Sequence, residues 1–180
     1  MPNYRRSRVP GGTYFFTVNL LDRKSQLLVE KIELLREVVR KVRNNKPFHI
    51  DAWVVLPNHL HCVWTLPPGD ADYASRWKNI KMMFSKRIPV VETLSETQAR
   101  LNERGIWQRR YWEHTIRDER DYEIHVDYCH INPFKHGLVR AVRDWPFSTF
   151  HRYVQEGIYP VDWAGMAPDL QDVASVTVRG

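Results

Sequence analysis

A chain of 180 residues is long enough for one compact domain and short for two. Its hydrophobic fraction of 43% argues against fibrous and disordered classes, and no apolar run approaches the roughly 18 residues that a membrane span needs. Lysine and arginine outnumber the acidic residues 27 to 21, and the net charge of +6 favours a polyanionic partner such as nucleic acid. The start of the chain lacks the apolar core of a secretory signal, so we expect a cytoplasmic protein.

The first half of the chain predicts three strands and one helix. Aromatic and β-branched residues fill 13–19, directly after a glycine pair, and indicate a strand. Apolar residues recur along 32–42 with the spacing of one helix face. The segments 48–56 and 61–66 indicate two further strands, and the proline–asparagine break between them predicts a hairpin.

The second half predicts two long helices, an insertion and one strand. Segment 73–88 combines an apolar face with many lysines and arginines, which indicates a basic amphipathic helix. Segment 89–105 is polar and acidic, unlike its flanks, and we interpret it as a peripheral insertion that is helical in part. Segment 106–116 is dense in aromatic residues and indicates a fourth strand. The last helix is predicted over 118–135, with Asp118 as its N-cap.

This order of elements predicts an α+β fold. It matches a ferredoxin-like split βαβ plan, in which an antiparallel sheet carries helices on one face. The other face of such a sheet would be free for a ligand. We place the domain at 1–160 and treat 161–180 as a C-terminal tail.

The strongest local motif is the pair His59 and His61. In an extended strand, residues i and i+2 point to the same side, so both imidazoles can bind one ion while Leu60 points into the core. Two hydrogen-bonded histidines in a hairpin would give the same pattern. The pair alone therefore leaves both interpretations open.

A second motif lies on the last predicted helix. Tyr128 and Asn132 are four residues apart, so they share one face and their side-chain oxygens can converge. Asn132 could then complete a triad of metal ligands with His59 and His61, and Tyr128 could act beside it as a nucleophile. A core tyrosine followed by a helix-terminating asparagine before Pro133 is the alternative.

Basic residues form three groups that are interleaved with aromatic residues. Positive side chains can hold phosphates while aromatic rings stack unpaired bases, each stack contributing roughly 1–3 kcal/mol. A solvated surface beside core aromatic residues is the alternative. The candidate DNA contacts are Arg5, Arg6, Arg8, Arg76, Lys78, Lys81, Arg109 and Arg110.

Motifs spread over most of the chain occur in the order of a known family. They lie at 11–19, 52–64, 107–117, 128–139 and 144–150. With them the chain resembles the HUH single-strand transposases of the insertion-sequence type, and most closely the REP-associated tyrosine transposases. The insertion at 89–105 is the main departure, and we expect it to alter DNA contacts and to leave the chemistry unchanged.

The resemblance implies a site and a reaction. In this family a histidine pair and a polar residue one turn after the tyrosine bind a divalent ion, and these map onto His59, His61 and Asn132, with Mg²⁺ or Mn²⁺ as the ion. The nucleophile maps onto Tyr128, which would cleave and rejoin single-stranded DNA through a 5′-phosphotyrosine. The implied partners are hairpins of repetitive extragenic palindromes, and the implied protein is a monomer associated with the nucleoid.

Two other functions are left open by the sequence. A non-catalytic protein that binds hairpin DNA would keep the fold, but it would have no chemical reason to keep Tyr128 together with His59, His61 and Asn132. An RNA-binding module of the RRM type has a similar sheet, but it needs aromatic signatures on its central strands that are not evident here.

Overall fold

Strands and helices are interspersed along the chain. The computed structural model describes residues 6–90, 95–101 and 104–163. Its strands are β1 (Thr13–Asn19), β2 (His49–Val55), β3 (His59–Thr65) and β4 (Trp112–Thr115). Its α-helices are α1 (Leu27–Glu30), α2 (Ile32–Asn45), α3 (Tyr73–Lys86), α4 (Glu96–Arg100), α5 (Glu119–Lys135) and α6 (Phe150–Gln155). Within the described ranges, none of these helices combines the length and apolar character that crossing a bilayer requires.

The four strands form one antiparallel sheet in the order β2-β3-β1-β4. β1 is an interior strand, and its residue Thr17 lies opposite His61 on β3 and Trp112 on β4. β2 and β3 pair as the predicted hairpin. This topology confirms the α+β, ferredoxin-like fold.

One face of the sheet is covered by α2 and α3. Tyr14, Phe16 and Trp64 point to this side and pack in one cluster with Trp77 of α3. The rings of Trp64 and Trp77 are stacked, with their centroids 4.3 Å apart. Burial of each large apolar side chain contributes roughly 1.5–3 kcal/mol, so this aromatic layer holds the two helices on the sheet.

The opposite face is covered by α5, which corrects the prediction that helices lie on one face only. Phe15 and Val63 point to this side and pack with Val126 and Cys129 of α5. The physical reason lies in β1 and β3, where nearly every residue is buried, so that both faces must be shielded from water. The face that was expected to be free is therefore covered by a helix, and that helix carries Tyr128.

The fourth strand is shorter than predicted. β4 begins at Trp112 instead of residue 106, and Trp107 forms only an isolated bridge with Leu20. The side chains of Trp107 and Tyr111 pack against the cluster under α2 and α3. The aromatic residues of this segment therefore serve core packing. Only the last part of the segment pairs as a strand.

The described parts of the predicted insertion and of the predicted tail differ in how they pack. In the insertion, α4 is exposed and its N-terminus is closed by a capping box between Ser95 and Gln98. After α6, Trp163 stacks on Tyr159 with ring centroids 4.4 Å apart, so the packed region extends beyond residue 160. The predicted tail from 164 to 180 lies outside the described residues.

Arg76 is a buried structural residue, which removes it from the candidate DNA contacts. Its side chain is 2% exposed, and its guanidinium lies 2.7 Å from the carboxylate of Asp70. The same group donates to the backbone oxygens of Lys46, Pro47 and Asp72. Its charge joins α3 to the neighbouring loops and does not face the solvent.

We expect Arg76→Met to lower the free energy of unfolding by about 2–4 kcal/mol, because several buried oxygens lose their donor. Urea unfolding followed by tryptophan fluorescence measures the change. Lys78→Met, at an exposed position of the same helix, is the matched control and should change this free energy by less than about 0.5 kcal/mol. Equal stability of the two variants would contradict the structural role of Arg76.

Candidate active site

The histidine pair lies on β3 and faces α5. Leu60, between the two histidines, points into the core under α2 and α3, as strand alternation predicted. His59 is 7% exposed and His61 is 2% exposed, so both imidazoles are shielded by the helix and do not face open solvent. Their ring centroids lie 5.0 Å apart, which is close enough for both rings to bind one ion.

The C-terminal half of α5 places polar side chains over the histidine pair at intervals of four residues. The ring of Tyr128 lies 5.1 Å from that of His61, and the ring of His136 lies 5.1 Å from that of His59. Asn132 lies between Tyr128 and His136 on the same helix face and is completely buried. Tyr128, His59 and His61 therefore lie together, and helical spacing puts Asn132 on the face of α5 that covers them.

Burial keeps both imidazoles neutral. Desolvation, with the positive charges of His136 and Arg23, lowers the pKa of His59 to about 3. Desolvation is also the largest cause that places the pKa of His61 well below its usual value. A neutral imidazole keeps a nitrogen lone pair, which is the form that binds a metal ion.

Hydrogen bonds engage the same nitrogen of each ring. The Nδ1 atom of His59 lies 2.6 Å from the side-chain oxygen of Asn58, and an amide oxygen only accepts, so Nδ1 carries the proton. The Nδ1 atom of His61 lies 2.8 Å from the hydroxyl of Thr17. In both rings Nε2 is the nitrogen left for an ion, and hydrogen bonds of this kind hold metal-binding histidines in position.

Asn132 supplies the test of whether these residues suit a metal ion. Its amide nitrogen donates to the backbone oxygen of Tyr128 at 3.4 Å. Its buried side-chain oxygen has no hydrogen-bond partner among the described residues. Such an acceptor costs roughly 1–3 kcal/mol unless another ligand satisfies it. Two imidazole nitrogens and an amide oxygen are ligands that divalent ions accept, so the residues fit the ion that the resemblance implies.

Three further residues belong to this site, and the sequence drew little attention to them. Thr17 orients His61, and His136 lies against His59. The ammonium of Lys135 lies 5.0 Å from the centroid of the Tyr128 ring. Helical spacing gave a signal for Lys135 and His136, which follow Asn132 by one turn. Thr17 could be found only from the register of β1 with β3.

A second candidate surface, which we name the basic groove, runs between α3 and the segment before β4. It holds a cavity of about 630 Å³ lined by four of the predicted DNA contacts, Arg6, Lys78, Lys81 and Arg109. The guanidinium of Arg6 lies 4.2 Å from the centroid of the Tyr111 ring, and the ammonium of Lys81 lies 5.2 Å from it. Burial lowers the pKa of Lys81 to about 8. The groove therefore combines positive charge with a flat aromatic ring.

The remaining predicted DNA contacts lie apart from the groove lining. Arg8 and Arg110 are exposed. Arg110 lies in sequence between Arg109 and Tyr111, and Arg8 follows Arg6 by two residues; Arg109, Tyr111 and Arg6 line the groove. Arg5 lies outside the described residues.

Comparison with known proteins identifies the family. The family model described as "Transposase IS200 like" matches residues 12–132, a range that contains the histidine pair, Tyr128 and Asn132. The chain belongs to the IS200-like transposases. Among its relatives, the REP-associated tyrosine transposase of Escherichia coli strain K12 is 52% identical over 170 residues, which cover 94% of this chain and 95% of that one.

Two further comparisons extend the likeness over nearly the whole transposase. A relative from Haemophilus influenzae is 43% identical over 172 residues, which cover 95% of this chain and 97% of that one. The solved structure of a REP-associated tyrosine transposase bound to a REP hairpin is similar with a TM-score of 0.81 and 52% identity. That match covers 94% of this chain and 95% of the other. On these grounds the transposase is placed with the REP-associated tyrosine transposases.

The buried histidines make the transposase sensitive to acid. With EDTA present, their contribution to stability should be complete above pH 6.5, the ordinary histidine pKa, and should be lost as the pH falls towards the folded pKa of about 3 for His59. The unfolded chain takes up protons in this range that the folded chain excludes. The slope of the unfolding free energy against pH should therefore be smaller in His59→Gln than in wild type. The difference should reach about 1.4 kcal/mol per pH unit between roughly pH 6 and pH 4.

Urea unfolding of wild type and His59→Gln at a series of pH values measures this slope. Measurements above pH 7.5 serve as the internal control, because neutral histidine is then present in both the folded and the unfolded chain. If the two proteins lose stability equally on acidification, His59 is not held neutral in the folded protein.

Proposed function

We propose that this transposase binds, cleaves and rejoins single-stranded hairpins of REP elements, with a divalent ion as cofactor and a 5′-phosphotyrosine at Tyr128 as intermediate. The family, the tyrosine transposase among its relatives and the REP hairpin bound in the related structure support this proposal. The observation that carries it is the position of Tyr128 beside the His59 and His61 pair, with the unsatisfied side-chain oxygen of Asn132 one turn further along α5.

Tyr128 is the proposed nucleophile. Its phenolic oxygen attacks the phosphorus of a phosphodiester and gives up its proton, while the bond to the preceding 3′ oxygen breaks and that oxygen takes up a proton. The products are a 5′-phosphotyrosine and a free 3′-hydroxyl. A 3′-hydroxyl of another DNA end reverses the step and restores the tyrosine, so rejoining needs no ATP. The nearby positive charge of Lys135 favours the phenolate that develops during attack.

His59, His61 and Asn132 are the proposed metal ligands. The histidines would bind through Nε2, because their Nδ1 atoms are hydrogen-bonded, and Asn132 would bind through its unsatisfied side-chain oxygen. When bound, the ion polarises the scissile phosphate and offsets the charge that develops on it. We assign Mg²⁺ or Mn²⁺, because the oxygens of Asn132 and of phosphate are the hard ligands that these ions prefer.

The basic groove is the proposed DNA surface. Its cationic side chains would hold phosphates, and the ring of Tyr111 would stack an unpaired base. Tyr111 and Trp112 adjoin each other at β4 and pack on opposite faces of the sheet. A DNA strand that leaves the groove and crosses the sheet edge at β4 would therefore reach the face that holds Tyr128. Arg104 of the insertion also lines the groove, but its guanidinium donates to the backbone oxygens of Ser85, Ile88 and Pro89, so it fastens the insertion to the end of α3.

We propose that the transposase works as a monomer. One chain supplies the nucleophile and all three proposed metal ligands, so the site is complete without a partner. Affinity for repeats in the chromosome would associate the protein with the nucleoid in the cytoplasm.

Tyr128→Phe should abolish covalent capture and rejoining while hairpin affinity stays within about twofold of wild type, because phenylalanine keeps the ring that packs on Phe15 and His61. The assay incubates the protein with a labelled single-stranded REP hairpin and Mn²⁺, denatures it and locates the nucleotide by peptide mass spectrometry. Tyr122→Phe, on the same helix, is the matched control and should still form the adduct. An adduct in Tyr128→Phe would overturn the mechanism, and wild-type hairpin binding without any adduct would favour the non-catalytic alternative.

Lys78→Ala should weaken hairpin binding at low salt and reduce the slope of log affinity against log salt by about 1, because one phosphate contact is lost. Fluorescence anisotropy at several salt concentrations gives this slope. Lys41→Ala, an exposed lysine of α2 that does not line the basic groove, is the control and should leave the slope unchanged. Equal slopes for the two variants would exclude the groove as the DNA surface.

A further inference from the structure

A second cluster of ligating side chains lies on the same face of the sheet, at the other end of α5. It consists of His114 on β4 with Asp121 and His125 in the first turns of α5. One ligand atom of each residue can be chosen so that all three lie within 4.8 Å of one another. This cluster shares no residue with the proposed catalytic site and has no part in the proposed reaction.

The start of α5 brings these three side chains together. The carboxylate of the N-cap Asp118 accepts from the backbone nitrogen of Asp121 at 2.8 Å, which fixes the first turn of the helix. His125 lies one turn further along the same helix face; its Nδ1 atom donates to the backbone oxygen of Asp121 at 2.7 Å and lies 3.2 Å from one oxygen of the Asp121 carboxylate. From β4, the Nε2 atom of His114 lies 2.8 Å from the other carboxylate oxygen. The Asp121 carboxylate therefore lies between two imidazoles from different elements, and the oxygen beside His114 also accepts from the backbone nitrogen and the guanidinium of Arg117.

The two imidazole rings are arranged side by side around this carboxylate. They are stacked, with centroids 4.5 Å apart and an angle of 15° between their planes. The side chains of Asp121 and His125 are 8% and 9% exposed, and that of His114 is 24% exposed. The cluster is therefore enclosed on the helix side and reachable from solvent beside His114.

Two imidazoles and one carboxylate are a set of ligands that zinc and related transition metals bind. Around a tetrahedral zinc ion with bonds of about 2.0–2.1 Å, neighbouring ligand atoms are separated by about 3.3 Å. The observed separations of 2.8 Å and 3.2 Å run to different oxygens of the Asp121 carboxylate, and one ligand atom of each residue lies within 4.8 Å of the others. Because the two rings are stacked, one of them must turn before both nitrogens can face the same ion, and His114 is the more exposed of the two. A water could then occupy the fourth position on the exposed side of His114.

We propose that His114, Asp121 and His125 form a second metal site, of the zinc type, that fastens the start of α5 to β4. In each ring the nitrogen that binds the ion would carry no proton and the other nitrogen would carry one, so both imidazoles stay neutral. Binding through Nδ1 of His125 would break its hydrogen bond to the backbone oxygen of Asp121. Phe15 links this site to the candidate active site, with its ring centroid 4.8 Å from that of His125 and 5.8 Å from that of Tyr128. The ion thereby braces the helix that positions Tyr128, whether or not Tyr128 is catalytic.

The test separates the two sites by substitution. His59→Ala/His61→Ala removes the histidines of the candidate active site, and this parent protein is titrated with Co²⁺, whose visible absorption is strong in tetrahedral sites. We expect one tetrahedral Co²⁺ per chain, and an increase in thermal stability when Zn²⁺ is added. Introducing His114→Phe, which keeps a flat ring against His125, should weaken Co²⁺ binding about 100-fold or more and remove the effect of Zn²⁺.

Two results would overturn the proposal. One is a parent protein that binds no tetrahedral Co²⁺, which would mean that the three residues form a hydrogen-bonded strut without an ion. The other is unchanged Co²⁺ affinity after His114→Phe. X-ray absorption spectroscopy of the zinc-loaded parent identifies the zinc ligands and does not need the His114→Phe variant. It should show two imidazole nitrogens. The proposal is therefore tested even if His114→Phe does not fold. A zinc environment without two imidazoles would reject it.

Discussion

The packing of α5 against the second face of the sheet is the constraint on which both candidate sites depend. Phe15, at the centre of that contact, touches the rings of His61, His125 and Tyr128. A buried aromatic residue of this kind contributes several kilocalories per mole, of the order of 3–5 kcal/mol when truncated to alanine. Because the side chains of α5 are fixed to the helix, the burial of Phe15 also sets where Tyr128 and Asn132 stand relative to β3.

The candidate active site departs from the rules that stabilise the rest of the molecule. Two histidines are buried beside a third, and the side-chain oxygen of Asn132 is buried without a partner among the described residues. Each of these features opposes folding, because burial of a polar group is favourable only when the group is bound. A divalent ion would satisfy them together, which gives the same set of residues a chemical purpose. Local departures from favourable packing are expected where a protein carries out its function.

Two positively charged residues of α3 lie in opposite environments. Arg76 and Lys78 are two residues apart and would both be assigned to a basic DNA surface from composition alone. Arg76 is turned inward, where loop oxygens and Asp70 use its donors, whereas Lys78 is exposed in the basic groove. The difference arises because a guanidinium can satisfy several acceptors at once inside a protein, whereas a solvated ammonium remains available to phosphates.

The sequence by itself determined what depends on backbone periodicity. Alternation along β3 placed His59 and His61 on one side and Leu60 on the other, and the helical repeat placed Tyr128 and Asn132 on one face. Those relations hold wherever a strand and a helix form, so the four residues and the antiparallel fold could be predicted. The family motifs added the expected divalent ion, the reaction and the hairpin DNA partner.

Only the tertiary structure decided which surfaces meet. It placed α5 on the second face of the sheet, turned Arg76 inward, delayed the start of β4 to Trp112, and brought His114 to Asp121 and His125. These outcomes follow from competition among distant segments to bury apolar area and to satisfy buried polar groups. A local sequence pattern cannot predict these outcomes, because the contacts of each residue depend on segments that are distant in the sequence.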